Sequence, residues 1–173
     1  MIVNRQRRVA VAVEPLKHFY ERVRQELRFP PESVTVQLVS DDAMARLNQT
    51  FRRKHGATDV LSFPAKPARR SENPMYVGDI AISPETARRN ARRFSRALTV
   101  EMRILILHGM IHLAGFDHEN DNGEMDRLER RLRRRLGVSE NNKPGTASSP
   151  LGRASAGSPA KTGPGSTWSP AKK

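Results

Sequence analysis

The chain has 173 residues, enough for one domain with a hydrophobic core but crowded for two. It carries a formal net charge of +13, a hydrophobic content of 36% and no cysteine. These values exclude disulfides, thiolate zinc sites and cysteine nucleophiles, and they favour polyanionic partners, nucleic acid before an acidic membrane surface.

Residues 2–13 read as a first strand, interrupted by Arg5, Arg7 and Arg8. Pro15 opens a helix in which Leu16, Phe19, Tyr20, Val23 and Leu27 recur at helical spacing, until Pro30 and Pro31 stop it. Residues 33–39 alternate as a strand. Asp41 or Asp42 caps a short helix that turns Met44, Leu47 and Phe51 inward. Residues 59–63 and 76–82 read as two further strands around a proline-rich loop, and Ser83-Pro84-Glu85 starts a helix by cap and N1 proline. From about Thr99 to Ala114 a helix is apolar nearly all round, which predicts a buried central helix ended by Gly115. A basic helix follows over about 121–136. The pattern is that of an α+β or α/β fold, one domain over residues 1–138, with about four strands in a sheet packed on about five helices; an α+β domain with a mixed sheet is the expectation taken forward.

The composition changes at Ser139. Residues 139–173 hold 5 Gly, 5 Pro and 7 Ser, with Leu151 and Trp168 as the large apolar side chains. Such a segment buries too little surface to offset chain entropy, so a disordered basic tail is expected. It contributes +4 of the net charge, which leaves +9 on the body. No run reaches the ~18–20 apolar residues of a membrane span, and the N-terminus has no signal-peptide core, so a soluble, cytoplasmic protein is expected, with no membrane partner.

Three of the five histidines, His108, His112 and His118, fall within eleven residues. His108 and His112 are four apart on the predicted helix, so they project ~40° apart and about 6 Å along its axis, close enough to share an ion. His118 would point away on a continued helix; Gly115 lets the chain turn back, because glycine accepts the left-handed conformation. Three imidazoles suit zinc and leave a fourth position for water, the arrangement of a catalytic site. The plainer alternative is three histidines that merely finish a core helix and its turn. The spacing also matches the metzincin protease pattern, except that Gly109 stands where those enzymes carry their glutamate base.

Arg52, Arg53 and Lys54 form a basic turn that could hold phosphates or be simply solvated. Arg88, Arg89, Arg92, Arg93 and Arg96 crowd one helix, and Arg127, Arg130, Arg131, Arg133, Arg134 and Arg135 another. Each can be read as a solvated face or as a nucleic-acid contact; aromatic content is 5%, so such contact would be backbone-directed and salt-sensitive.

The segments LNQTFR, TDVLSFP, GDIAIS and HGMIHLAGFDH, in this order through residues 46–118, resemble the YbeY family of bacterial endoribonucleases, the rRNA maturation factors. The resemblance implies a single α+β domain, one zinc per chain, and hydrolysis of single-stranded RNA. It further implies a role in ribosomal RNA processing, notably at the 3′ end of the small-subunit RNA, and in ribosome quality control, with the small subunit as partner. His108, His112 and His118 match the family's metal ligands, and Arg52 matches an arginine linked to activity. Arg52 and His108 are thus the expected catalytic residues, with Asp117 and Glu119 as candidates for proton transfer. Two other functions compete: a peptidase-like metal hydrolase, and a non-catalytic RNA-binding ribosome assembly factor with structural zinc.

Overall fold

The computed structural model describes residues 1–66, 75–117 and 121–138. The tail from 139 lies outside them, as do His118 and Glu119. Four strands are present among the described residues: β1 (Ile2–Asn4), β2 (Val34–Leu38), β3 (Val60–Pro64) and β4 (Gly78–Ile82). Five helices accompany them: α1 (Val13–Glu26), α2 (Asp41–Arg52), α3 (Pro84–Arg93), α4 (Leu98–Leu113) and α5 (Glu124–Arg135). The sheet order is β1-β2-β4-β3, with β3 antiparallel to β4 and the other pairs parallel. This is the expected α+β fold with a mixed sheet, and the antiparallel β3 decides between the α+β and α/β readings of the pattern.

Period-two alternation along the strands divides the core. Val34, Val36, Leu38, Ile80 and Ile82 meet α1, α4 and α5, while Val39, Leu61 and Ala81 meet Met44 of α2. Helix α4 packs on α1, α3, α5, β3 and β4, so it is enclosed from nearly every side, as a surface apolar nearly all round requires. Tyr20 is buried and donates its hydroxyl to the Val34 carbonyl at 2.8 Å; burial pushes its pKa up to about 12.

Several local expectations are revised. The first strand is three residues rather than twelve, because the Gln6 side chain turns the chain: its amide nitrogen donates to the Val9 carbonyl and its oxygen accepts from the Val9 N–H, both at 2.9 Å. Ser40, not Asp41 or Asp42, caps α2, accepting from the Ala43 N–H. Asp41 instead ties α2 to α3 by accepting from Ser83 Oγ, Thr86 Oγ1 and Arg89 Nη1. Phe51 points outward, 59% exposed, with its ring edge-on to Phe63. The last helix starts at Glu124, because Asp121 accepts from the Gly123 and Met125 N–H groups at 2.7 Å and so organises the turn before it.

Candidate active site

Gly109 explains why α4 lies where it does. A Cβ at this position would sit 2.9 Å from Ile80 Cγ2 and 3.2 Å from Ser62 Oγ. Only glycine lets the helix approach the sheet this closely, and Ser62 Oγ donates to the Gly109 carbonyl at 3.1 Å across the contact. Position 109 therefore faces the sheet, while His108 and His112 reach away from it toward α5 and the turn after α4. A metzincin-type glutamate has no room here, so Gly109 is a packing residue as well as a departure from the protease pattern.

The two histidines converge. Their Nε2 atoms are 3.1 Å apart, with ring centroids 4.7 Å apart and planes at 82°. Each Nδ1 meets an oxygen at 3.0 Å: for His108 it is Oε2 of Glu129, for His112 the carbonyl of Phe116. The second contact depends on the predicted glycine break. Gly115 adopts φ 93°, the Phe116 N–H bonds back to the Ile111 carbonyl, and the chain returns so that the Phe116 carbonyl faces its own helix.

Burial alone would raise the pKa of Glu129, but the His108 hydrogen bond and the Arg133 charge outweigh it and hold the carboxyl below its ordinary value. An ionised carboxylate and a carbonyl only accept, so each Nδ1 carries a proton, and in the neutral ring Nε2 presents a lone pair. At 3.1 Å the two Nε2 atoms either share a proton or, with both rings neutral, face each other with lone pairs that a cation between them would satisfy. Zinc–nitrogen bonds of about 2.0–2.1 Å at a tetrahedral angle place two ligand nitrogens about 3.3 Å apart. The pair fits such an ion. Among the described residues no three His, Cys, Asp or Glu side chains form a metal-holding group, and His118, the third expected ligand, lies outside those residues. Asp117 is half-buried beside the turn.

Arg52 closes the last turn of α2 and is exposed. Asn48, buried one turn earlier, donates its side-chain amide to the Gly56 carbonyl at 2.9 Å and fixes the loop beyond the helix. Arg52 lines a cleft of about 660 Å³ whose walls include Phe51, Phe63 and Leu47, with Gln37 and Asp79 as polar lining and Lys66 as a second cation. The histidines do not line this cleft. Ser62 joins the two regions: it lines the cleft and bonds to Gly109, the neighbour of His108.

The basic faces are smaller than their arginine counts. Arg96 is buried in an ion pair with Glu101 at 2.6 Å, misaligned for a hydrogen bond, and burial raises the Glu101 pKa. Arg89 pairs with Asp41, Arg133 with Glu129 and Arg135 with Glu26. Arg88, Arg92 and Arg93 on α3, and Arg127, Arg130, Arg131 and Arg134 on α5, remain exposed.

A half-buried histidine pair on the central helix, backed by a carboxylate, and a cationic cleft formed with α2 are the candidate site of an α+β domain. Comparison with known proteins gives the family. The sequence model for Endoribonuclease YbeY matches residues 1–137, and the chain belongs to the YbeY endoribonuclease family. Curated relatives named Endoribonuclease YbeY include one from Koribacter versatilis, 43% identical over 136 residues, covering 79% of this chain and 85% of the relative. Another, from Solibacter usitatus, is 42% identical over 123 residues, covering 71% and 78%. A solution structure of a Thermotoga maritima protein is 30% identical with TM-score 0.54 and covers 85% of this chain and all of its own. The chain is thus a member of an enzyme family. Among the described residues no helix is long and apolar enough to cross a membrane.

Proposed function

We propose that this protein is a zinc-dependent, single-strand-specific endoribonuclease of the cytoplasm. Its substrate is ribosomal RNA at the 3′ end of the small-subunit RNA, and it serves in ribosome quality control. The observation that carries the reading is the convergence of the His108 and His112 Nε2 atoms, with both Nδ1 protons already committed. His108, His112 and His118 would hold one zinc per chain. When bound, that ion supplies a Lewis acid and a water of lowered pKa.

The chain's own groups do the rest. Arg52, exposed on the cleft wall, pairs with the phosphate through its two-point guanidinium fork and opposes the charge that builds there during cleavage. Exposed arginines on α3 and α5 hold the RNA backbone without reading its sequence. Asp117 and Glu119 stand close in sequence to the ligands for proton transfer. The peptidase alternative is disfavoured by the packed glycine at 109, which leaves no place for that chemistry's base.

The test is cleavage of a single-stranded RNA and its duplex form by purified protein, with and without a zinc chelator. Cleavage confined to the single strand and lost on chelation is expected. Cleavage that survives chelation unchanged contradicts the metal's catalytic role, and RNA binding without any cleavage favours the assembly-factor role.

A further inference from the structure

The two histidines are held by unlike partners. His112 is oriented by the backbone of its own turn, through the Phe116 carbonyl. His108 is oriented by a side chain from another helix, Glu129 of α5, 21 residues away. Glu129 is 5% exposed, so its charge is withdrawn from water and must be matched within the protein. Its two oxygens have separate partners. Oε2 accepts a hydrogen bond from His108 Nδ1–H, and Oε1 accepts one from Arg133, one turn further along α5. Its neighbours on the inward face of α5 are Met125 and Leu132, both buried. A carboxylate placed on an apolar stripe costs desolvation energy, and hydrophobic residues at such a position would pack without that cost.

We propose that Glu129, held by Arg133, is the positioning residue of the metal site: it fixes His108 as the Nδ1–H tautomer and aims its Nε2 at the ion. This rests on the metal reading above and adds to it a residue outside the histidine segment. Unrestrained imidazole favours the opposite tautomer, with the proton on Nε2, which would block ligation. The carboxylate reverses that preference before metal arrives, so the site is set in the metal-free chain. It also makes His108 dependent on the docking of α5, whereas His112 is set by its own helix end.

The experiment uses the full chain. Zinc affinity is measured by competition with a chromophoric chelator for wild type, E129A, E129Q and H112A, and the tautomer of His108 is read from long-range ¹H–¹⁵N spectra of the zinc-free protein. Wild type should show His108 with its proton on Nδ1. E129A should shift it toward Nε2–H and weaken zinc binding about 10–100-fold. E129Q should keep the Nδ1–H tautomer, because the amide oxygen still accepts, and should bind zinc between the two. A purely structural role would lower thermal stability while leaving tautomer and affinity unchanged. Zinc affinity lost in H112A but equal to wild type in folded E129A overturns the role of Glu129 alone. Wild-type affinity in H112A overturns the metal reading itself. Should E129A fail to fold, an Nε2–H tautomer of His108 in the zinc-free wild type still overturns the proposal.

Discussion

His108 and Arg52 belong to helices on opposite faces of one sheet, and they are held in opposite ways. The histidine pair lies at the α4–α5 contact and each ring has its orienting bond. Arg52 stands on an exposed helix end, and what is fixed there is the backbone, through Asn48 and the Gly56 carbonyl. The contrast suits the role proposed for each region. Ligand atoms must stay within a few tenths of an ångström of their positions, whereas a phosphate can be met by a long side chain that moves with it. Damage to the first region should therefore be severe and independent of RNA, and damage to the second should appear only when RNA reacts.

The largest effect is expected where α4 meets the sheet. G109E, which would restore the metzincin glutamate, places a carboxylate against Ile80 and should cost about 4 kcal/mol or more or abolish folding, seen as a lost or strongly lowered thermal transition. A stable G109E with normal zinc content would show that position 109 does not face the sheet.

Next comes Arg52. R52E should reduce RNA cleavage by about 10²–10³ and R52K by about tenfold, because lysine keeps the charge and loses the fork. Zinc content should stay normal in both, and RNA affinity of R52K should fall little, given the +9 body. Equal cleavage by R52K and wild type at saturating RNA would remove Arg52 from the reaction.

The smallest effect lies at the other end of α2. Burial works against the charge of Asp41, but its bonds from Ser83, Arg89 and Thr86 prevail and lower its pKa. A lowered carboxyl pKa stabilises the fold fully above the unfolded value of about 3.9, and this contribution disappears as pH falls through the folded value. D41N should therefore be less stable than wild type at pH 7 by about 1–2 kcal/mol, and the gap should close in acid. Melting curves at neutral and acidic pH check this; a gap that persists in acid would mean that the amide disturbs packing rather than charge.

The sequence made one of the two regions much more legible than the other. The largely apolar sequence of α4, the i, i+4 histidines and Gly115 each encode local geometry, and the structure follows them. Glu129 escaped because it sits among arginines and reads as one more solvated charge, yet a signal was present. Met125, Glu129, Leu132 and Leu136 share one helical face, and an acid on that face needs a buried partner. Arg96 escaped for the reciprocal reason: its partner Glu101 lies on α4, whose largely apolar sequence gives no sign of an ion pair. The choice between Ser40 and Asp41 as cap could not be read locally, since Asp41 is claimed by three donors more than 40 residues away. The shortness of β1 likewise follows from a side-chain turn at Gln6 that no strand pattern encodes.

His108, His112 and His118 are proposed to hold one metal ion. Elemental analysis of the purified full chain beside its H112A variant tests this most directly. Close to one zinc per wild-type chain and close to none in folded H112A is the predicted result, because the remaining imidazoles cannot hold the ion tightly. Equal zinc in the two proteins would contradict the account.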